Sequence, residues 1–166
     1  MNNNKNFIIM ARFPLTGIYN TFYAEIKSVS YRMYLLGQLL SHLRIEYKTY
    51  EDVVYALQNK TSIGGAGDLE YYYGIFNSKT NALEINASYP DFMDQKYFES
   101  LYPEEKDKDF LEYTYSISLD NFLELTKKMI DFFNENIELI IIYEDADGKV
   151  HLKKFDLENK QMIDNK

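Results

Sequence analysis

The chain has 166 residues, a formal net charge of −8 and no cysteine. Its length fits one domain, since domains commonly hold about 100–200 residues. Its content of 46% hydrophobic and 16% aromatic residues is too apolar for a disordered chain. The lack of cysteine excludes disulfides and thiolate chemistry. We therefore expect a single globular domain that spans residues 1–166.

The negative charge is concentrated after residue 60. Residues 1–60 carry seven Lys/Arg and four Asp/Glu, whereas residues 61–166 carry eleven Lys and twenty-two Asp/Glu. An acidic surface repels nucleic acids and anionic membranes, and it attracts basic proteins and speeds their capture. We therefore predict a basic protein partner and neither a nucleic-acid nor a membrane partner. A purely solubilising role of the charge is the alternative.

The N-terminal residues do not predict export. The apolar run Phe7–Ala11 is followed by Arg12 and Pro14, and it is too short for the core of a signal peptide or for a membrane span. A chain without cysteine also shows no adaptation to an oxidising compartment. We expect a cytoplasmic location.

The first predicted elements are a strand and two helices. Phe7–Phe13 alternates weakly and ends before Pro14, as a strand does. Seven apolar residues then recur at alternating steps of four and three, which predicts a helix over about Thr21–Leu43 with one apolar stripe: Phe22, Ile26, Val29, Met33, Leu36, Leu40 and Leu43. Gly37 within it indicates close packing, because glycine costs ~1 kcal/mol there relative to alanine. Thr49 can cap a second, short helix.

The rest of the chain predicts hairpins and further helices. The predicted elements are a hairpin of Leu69–Phe76 with Asn81–Ala87, a short helix at Asp91–Leu101, a strand at Leu111–Ser118, an amphipathic helix from Asp120 to about Asn134, and a hairpin of Glu138–Glu144 with Lys149–Leu157. Hairpins dominate and no βαβ unit repeats. The sequence therefore predicts an α+β fold: a mainly antiparallel sheet of about five or six strands, packed against a long N-terminal helix and a second amphipathic helix.

Two glycine-containing motifs that suggest ligands are interpreted as turns. The glycines at 64, 65 and 67 are followed by Asp68 and Glu70, which would repel phosphate, and the Lys-Ser/Thr pair of a phosphate loop is missing. Asp145-Ala-Asp147-Gly148 resembles part of a calcium loop. However, alignment on its glycine puts Tyr143 and Lys154 where the key carboxylates belong. Neither motif predicts a binding site.

The sequence shows no catalytic, cofactor or metal motif. His42 and His151 lack the spacing of metal ligands, and no serine lies in a nucleophile elbow. A pair of carboxylates remains open as an acid–base site, but twenty-six acidic residues always offer pairs and none is singled out. We predict no metal, no cofactor and no catalytic residue.

The densest mixture of acidic and aromatic residues lies in Tyr89–Asp109. Aromatic side chains supply contact area at protein interfaces, and carboxylates steer and pair with basic partners. The predicted partner-binding residues are Asp91, Asp94, Tyr97, Glu99, Tyr102, Glu104, Glu105 and Asp107.

In size, acidity and this mixture of residues the chain resembles in type the immunity proteins of bacteria, although it shares no motif with them. The resemblance implies an inhibitor that neutralises a basic, nuclease-type toxin by covering its active site with carboxylates in place of phosphates. Two alternatives stay open. One is a small carboxylate-dependent enzyme or ligand-binding domain, and the other is a structural homodimer joined through the long helix or a sheet edge.

Overall fold

The computed structural model describes residues 7–12, 19–22, 30–60, 62–64, 72–88, 94–135, 137, 139–156 and 161–163. Over these residues the chain forms four α-helices: α1 (Tyr31–Glu46), α2 (Tyr50–Lys60), α3 (Gln95–Leu101) and α4 (Leu119–Asn134). It also forms nine strands: β1 (Phe7–Arg12), β2 (Tyr19–Phe22), β3 (Ser62–Gly64), β4 (Tyr72–Asn77), β5 (Ala82–Ala87), β6 (Tyr115–Ser118), β7 (Leu139–Glu144), β8 (Val150–Asp156) and β9 (Gln161–Ile163). Two 3₁₀ turns lie at Pro103–Glu105 and Phe110–Glu112.

The α+β class and the antiparallel pairing are confirmed, but the strands divide between two sheets. The first sheet has the order β2-β1-β7-β8-β9 and the second has the order β3-β4-β5-β6, with antiparallel neighbours throughout. The prediction of one sheet of about five or six strands was therefore too simple. Each sheet has an apolar face to bury, and one core joins residues of both sheets with the helices.

Helix α1 packs against both sheets and is buried over most of its circumference. It contacts β1 and β2 of the first sheet and β3, β4, β5 and β6 of the second. Its fully or almost fully buried residues are Tyr31, Met33, Leu35, Leu36, Leu39, Leu40 and Leu43. The part of the predicted stripe that lies in this helix, Met33, Leu36, Leu40 and Leu43, therefore packs inside this chain.

The start of α1 also differs from the prediction of a helix over about Thr21–Leu43. The helix begins at Tyr31, and the Ser30 side chain caps it by accepting a hydrogen bond from the amide of Met33 at 3.4 Å. Thr21 and Phe22 belong to β2, which pairs with β1, and residues 23–29 lie outside the described part of the chain. The pairing of Phe22 with Ile9 of β1, the preceding strand, outweighed the helical period in the sequence around Phe22.

The close packing predicted at Gly37 is present. A Cβ atom at this position would lie 2.6 Å from Cδ1 of Ile8, a fully buried residue of β1. Carbon atoms do not approach so closely, so a larger residue at position 37 would have to push the end of the Ile8 side chain aside.

Helix α4 and the hairpin that follows it agree with their local sequence patterns. Helix α4 begins after Ser118, whose side chain accepts a hydrogen bond from the amide of Asn121 at 3.3 Å. Ile140 and Ile142 of β7 are fully buried, and β7 lies between β1 and β8 as an inner strand. The turn between β7 and β8 has Gly148 at φ 82°, which favours glycine. The predicted helix and this hairpin are confirmed.

Two predicted elements are displaced. The strand expected at Leu111–Ser118 is shorter, because residues 110–112 form a 3₁₀ turn and β6 begins at Tyr115. Helix α3 begins at Gln95, and residues 91–93 of the predicted helix lie outside the described part of the chain, as do the glycine-rich residues 65–70. Among the described helices, none has the length and apolar character needed to cross a membrane.

Candidate partner-binding surfaces

Residues 94–112, which we call the acidic segment, are fastened to the core by aromatic side chains. Tyr31 of α1 lies at the centre: its ring centroid is 4.9 Å from those of Phe98 and Tyr102 and 4.7 Å from that of Tyr113. Phe110 stacks on Phe98 at 5.9 Å. Aromatic pairs of this kind contribute about 0.5–1.5 kcal/mol each beyond the burial of their area. The segment is thus held at several points, although only Gln95–Leu101 of it is α-helical.

Glu105 is a buried carboxylate within this segment, with 8% of its surface exposed. One of its oxygens accepts a hydrogen bond from the Tyr113 hydroxyl at 3.0 Å, and the other lies 2.8 Å from the Lys108 ammonium. Burial and the neighbouring Glu105 raise the pKa of Tyr113 well above its usual range. The phenol therefore stays protonated and keeps donating to the carboxylate.

Two of the predicted partner-binding residues are corrected by this packing. Glu105 is engaged with Tyr113 and Lys108, and Tyr102 is buried against Tyr31. Neither side chain is available to a partner while the fold is intact. Both residues stand among acidic residues, which suggested exposure. Glu105 is instead satisfied by Lys108 and Tyr113, three and eight residues further along the chain, and Tyr102 packs on Tyr31 of α1.

Polar side chains fix the two ends of the segment. Gln95 donates to the carbonyl oxygen of Lys108 at 2.8 Å and to the Glu99 carboxylate at 2.9 Å, and it accepts from the amide of Phe110 at 3.2 Å. Asp94 caps α3 by accepting from the amide of Tyr97 at 2.7 Å. Helix α3 and the chain that returns past it are therefore tied together as one unit.

The exposed part of the segment is acidic with apolar points. Glu104 and Asp107 are exposed, as is Asp94, while Glu99 is half-buried and Asp91 lies outside the described residues. Tyr97 is 46% exposed and Leu111 is 67% exposed. They are two of the four large hydrophobic residues that the described part of the chain leaves exposed.

The exposure of Leu111 was not predicted from the sequence, which placed this residue at the start of a strand. Asp109 caps the 3₁₀ turn by accepting from the Leu111 amide at 2.9 Å, and this turn points the leucine outward. It lines a depression of about 450 Å³ between Gln95 and residues 106–111. The available signal was the aspartate two residues before it, because such residues favour turns over strands.

A second concave surface lies between the two sheets. This cleft of about 570 Å³ is lined by all four residues of β6, the start of α4, the turn between β7 and β8, and Arg32 of α1. Its volume is within the range of about 300–1,000 Å³ that is common for binding sites. We call it the edge cleft.

Carboxylates outnumber cations in the edge cleft. Arg32 pairs with Glu144 at 2.8 Å, and Lys149 pairs with Glu124 at 3.0 Å. The hydrogen bond from Lys149 lowers the pKa of Glu124. Two further carboxylates, Asp120 and Asp147, are exposed at the rim. The cleft therefore has two carboxylates beyond those that its own cations neutralise.

The floor of the cleft is held by Asn121 of α4. Its amide nitrogen donates to the carbonyl oxygen of Val150 at 2.8 Å, and its amide oxygen accepts from the Val150 amide at 2.9 Å. The side chain thus takes the place of a neighbouring strand and joins α4 to β8. The sequence analysis overlooked Asn121, because nothing local distinguishes it from a solvent-facing asparagine.

No metal site is found among the described residues, since no three or more His, Asp or Glu side chains there are arranged to hold an ion. His151 instead forms a pair with Asp145, 2.6 Å apart, and stacks on Tyr143 at 5.1 Å. The side chain of His42 lies outside the described part of the structure. The role of His151 in these contacts is to support the hairpin turn.

No protein-family model, curated protein or solved structure matches this chain.

Proposed function

We propose that this chain is a non-enzymatic, acidic protein-binding module and that it acts in the bacterial cytoplasm as an immunity protein. In this proposal it binds a cognate basic toxin of the nuclease type and blocks the toxin's active site. The observation that carries the proposal is the acidic segment, residues 94–112, in which seven acidic and three basic residues are presented on a rigid support.

Rigid presentation matters because binding is weakened by the entropy of ordering a flexible loop. Here Phe98 and Phe110 are buried, and the Gln95 side chain bonds to both sides of the segment. The exposed carboxylates of Glu104 and Asp107 are therefore carried on a preformed surface. Most of the ordering cost is met during folding rather than during association.

The exposed residues have the chemistry of an interface with a cationic protein. Tyr97 and Leu111 supply apolar contact area, and the surrounding carboxylates steer a basic partner and pair with its Lys and Arg side chains. A nuclease binds the phosphates of its substrate with cationic side chains. Carboxylates on a rigid surface occupy the same cations and keep the substrate out.

The edge cleft favours a second candidate, a domain that binds a small ligand. Its volume suits one, and Asp120 and Asp147 at the rim would attract a cationic compound. An acid–base enzyme is less well supported. Glu144 and Glu124 are paired with cations, and a lowered pKa suits Glu124 to binding charge rather than to donating a proton.

The neighbouring gene provides the first test of the proposal. An immunity protein is expected beside a gene for a secreted protein whose C-terminal domain is small and basic. That domain, co-expressed with this chain, should co-purify with it and lose its toxicity. The association rate should fall steeply as salt is added, because long-range attraction is screened. A neighbourhood without such a domain, or an association rate that ignores salt, would contradict the proposal.

The binding surface is tested by charge reversal at exposed residues. We expect Glu104→Lys with Asp107→Lys to slow association and weaken the complex. The matched control is Glu51→Lys with Asp131→Lys, which makes the same change of net charge at exposed positions on α2 and α4. Equal effects of the two double variants would mean that net charge alone acts and that the acidic segment is not the interface.

A further inference from the structure

Strand β6 forms an edge of the second sheet in the described part of the chain. The order β3-β4-β5-β6 gives β6 one paired neighbour, β5. An edge strand carries a row of backbone N–H and C=O groups on its open side, and another strand can pair with them. β6 therefore has the first requirement of a site that accepts an added strand.

The register shows which backbone groups face the open side. Ile117 lies opposite Leu83, and the Leu119 amide donates to the carbonyl oxygen of Asn81 at 3.0 Å. Because inward-bonding and outward-facing residues alternate along an antiparallel strand, Ile117 bonds toward β5. Ser116 then directs its N–H and C=O away from β5, and Ser118 directs its N–H the same way.

The open side of β6 coincides with the edge cleft. All four β6 residues line the cleft, and no residue of β5 does. The opposite wall is the turn between β7 and β8 with Gly148 and Lys149. The four residues of β6 span ~13 Å at about 3.3 Å per residue. The free edge is thus enclosed in a groove of limited length rather than lying on a flat surface.

Charge indicates what enters this groove. Arg32 and Lys149 are already paired with carboxylates of the cleft. Asp120 at the start of α4 and Asp147 in the hairpin turn remain to attract a positive charge. Alternate side chains of an extended strand point to opposite faces. In an added strand, the side chains opposite Tyr115 and Ile117 therefore point to the same face as these two residues. This is the face of the sheet that packs on the helices.

We propose that an extended segment of a basic partner protein adds to β6 as a further strand and places Lys or Arg side chains against Asp120 and Asp147. The backbone of Ser116 supplies the pairing and the two carboxylates select for positive charge. The inference does not depend on the acidic segment, since it concerns a different surface and uses different residues.

The test uses the full chain, isotope-labelled for nuclear magnetic resonance, and an acetylated and amidated peptide of sequence Lys-Val-Lys-Val-Lys-Val. We expect the amides of Ser116 and Ser118 to shift during titration and to exchange more slowly with solvent. A Glu-Val peptide of the same length should not bind. Neither should the Lys-Val peptide with every backbone nitrogen methylated, because it keeps its charge but has no N–H group left to pair. Binding by either control peptide would overturn the proposal.

A pair of variants at Ser116 isolates the outward amide. Ser116→Pro removes this N–H but leaves the bonds between β5 and β6, since proline is tolerated at such positions of edge strands. It should weaken peptide binding by at least about tenfold, the effect of ~1.4 kcal/mol. Ser116→Ala keeps the amide and should bind as the unaltered chain does. Equal binding by both variants would overturn the proposal, whatever their stability.

Two further outcomes are decisive. Asp147→Asn should weaken binding of the Lys-Val peptide and reduce its dependence on salt, and an unchanged salt dependence would refute the charge selection. If the chain dimerises and Ser116→Pro dissociates the dimer, the edge accepts a second copy of the chain and the proposed basic occupant is wrong.

The double variant at Glu104 and Asp107 should leave peptide binding unchanged, which separates this test from that of the proposed function.

Discussion

The hydroxyl of Tyr113 donates a hydrogen bond to the carboxylate of Glu105 at 3.0 Å, and both groups are buried. The pair joins the turn at Pro103–Glu105 to Tyr113, which lies two residues before β6. Lys108 closes the arrangement, since its ammonium lies 2.8 Å from the same carboxylate and 5.2 Å from the centre of the Tyr113 ring. An acid in an acidic segment thus serves to hold that segment in place.

Removal of this carboxylate should destabilise the fold. Glu105→Ala leaves the buried Tyr113 hydroxyl without its acceptor, and we expect a loss of about 1–3 kcal/mol in the free energy of unfolding. The measurement is urea denaturation followed by circular dichroism. The adjacent Glu104→Ala is the control, because Glu104 is exposed and should change stability by less than about 0.5 kcal/mol. Equal losses of unfolding free energy at the two positions would show that the hydrogen bond between Tyr113 and Glu105 does not stabilise the fold.

The two hydrogen bonds between the Asn121 side chain and the backbone of Val150 give a second prediction. Asn121→Ala leaves both the N–H and the C=O of Val150 without these partners, and each buried group then costs about 1–3 kcal/mol. Asn121→Asp keeps the acceptor but puts an oxygen in place of the donor beside the Val150 carbonyl oxygen, so this variant should also lose stability at neutral pH. Asn134→Ala at the exposed end of α4 is the control. Stability that is unaffected in Asn121→Ala would mean that water replaces the side chain.

The contact between Gly37 and Ile8 predicts coupled effects. Gly37→Ala gains about 1 kcal/mol of helix propensity but forces Cδ1 of Ile8 aside, and overpacking of a core costs about 1–3 kcal/mol. In an Ile8→Val background the obstructing methyl group is absent. We expect Gly37→Ala to be neutral or destabilising alone and stabilising in that background. A double-mutant cycle of unfolding free energies measures the coupling, and an additive cycle would contradict the contact.

How far the sequence predicts the fold depends on how local the cause is. Helix α4 and the hairpin of β7 with β8 were predictable, because the period of α4 and the turn at Gly148 act over a few residues. The start of α1 was not, because Phe22 satisfies a helical period but pairs with Ile9 of β1. β1 itself was predicted, but nothing in the sequence around Phe22 indicated that this residue pairs with it.

The candidate surfaces show the same limit. Composition drew attention to the acidic segment, but it did not distinguish the exposed Glu104 from the buried Glu105, which are neighbours in sequence. The difference arises from Tyr113, eight residues further on, and from the packing around Tyr31. The edge cleft is lined by residues from α1 to the turn before β8, so no local pattern in the sequence could predict it.

Tyrosine ionisation should be delayed in the folded chain. Burial raises the pKa of Tyr115 to about 12, with a smaller contribution from Glu144, and it raises those of Tyr102 and Tyr113 further. A pKa raised by folding stabilises the fold below the unfolded value of 10.0, and this stabilisation is lost as pH rises through the folded value. Tyrosinate absorbance should therefore show a late phase that coincides with alkaline unfolding. Tyr115→Phe should remove one tyrosine from that phase, and a late phase of unchanged amplitude would contradict the assignment.

The pair of Asp145 and His151 predicts a loss of stability in acid. The hydrogen bond from His151 lowers the pKa of Asp145, and the amides of Asp147 and Lys149, each 3.0 Å from its other oxygen, act in the same direction. A pKa lowered by folding stabilises the fold above the unfolded value of 3.8 and loses that effect as pH falls through the folded value.

Asp145→Asn removes this ionisation. We expect the unaltered chain to be more stable than the variant at neutral pH, and the difference in unfolding free energy to shrink as pH falls below 3.8. Urea denaturation at a series of acidic pH values measures it. Asp147→Asn is the control in the same turn, because the Asp147 side chain is exposed. The difference in unfolding free energy between this variant and the unaltered chain should vary less with pH. A constant difference for Asp145→Asn down to the pH at which the fold is lost would mean that its charge does not support the turn.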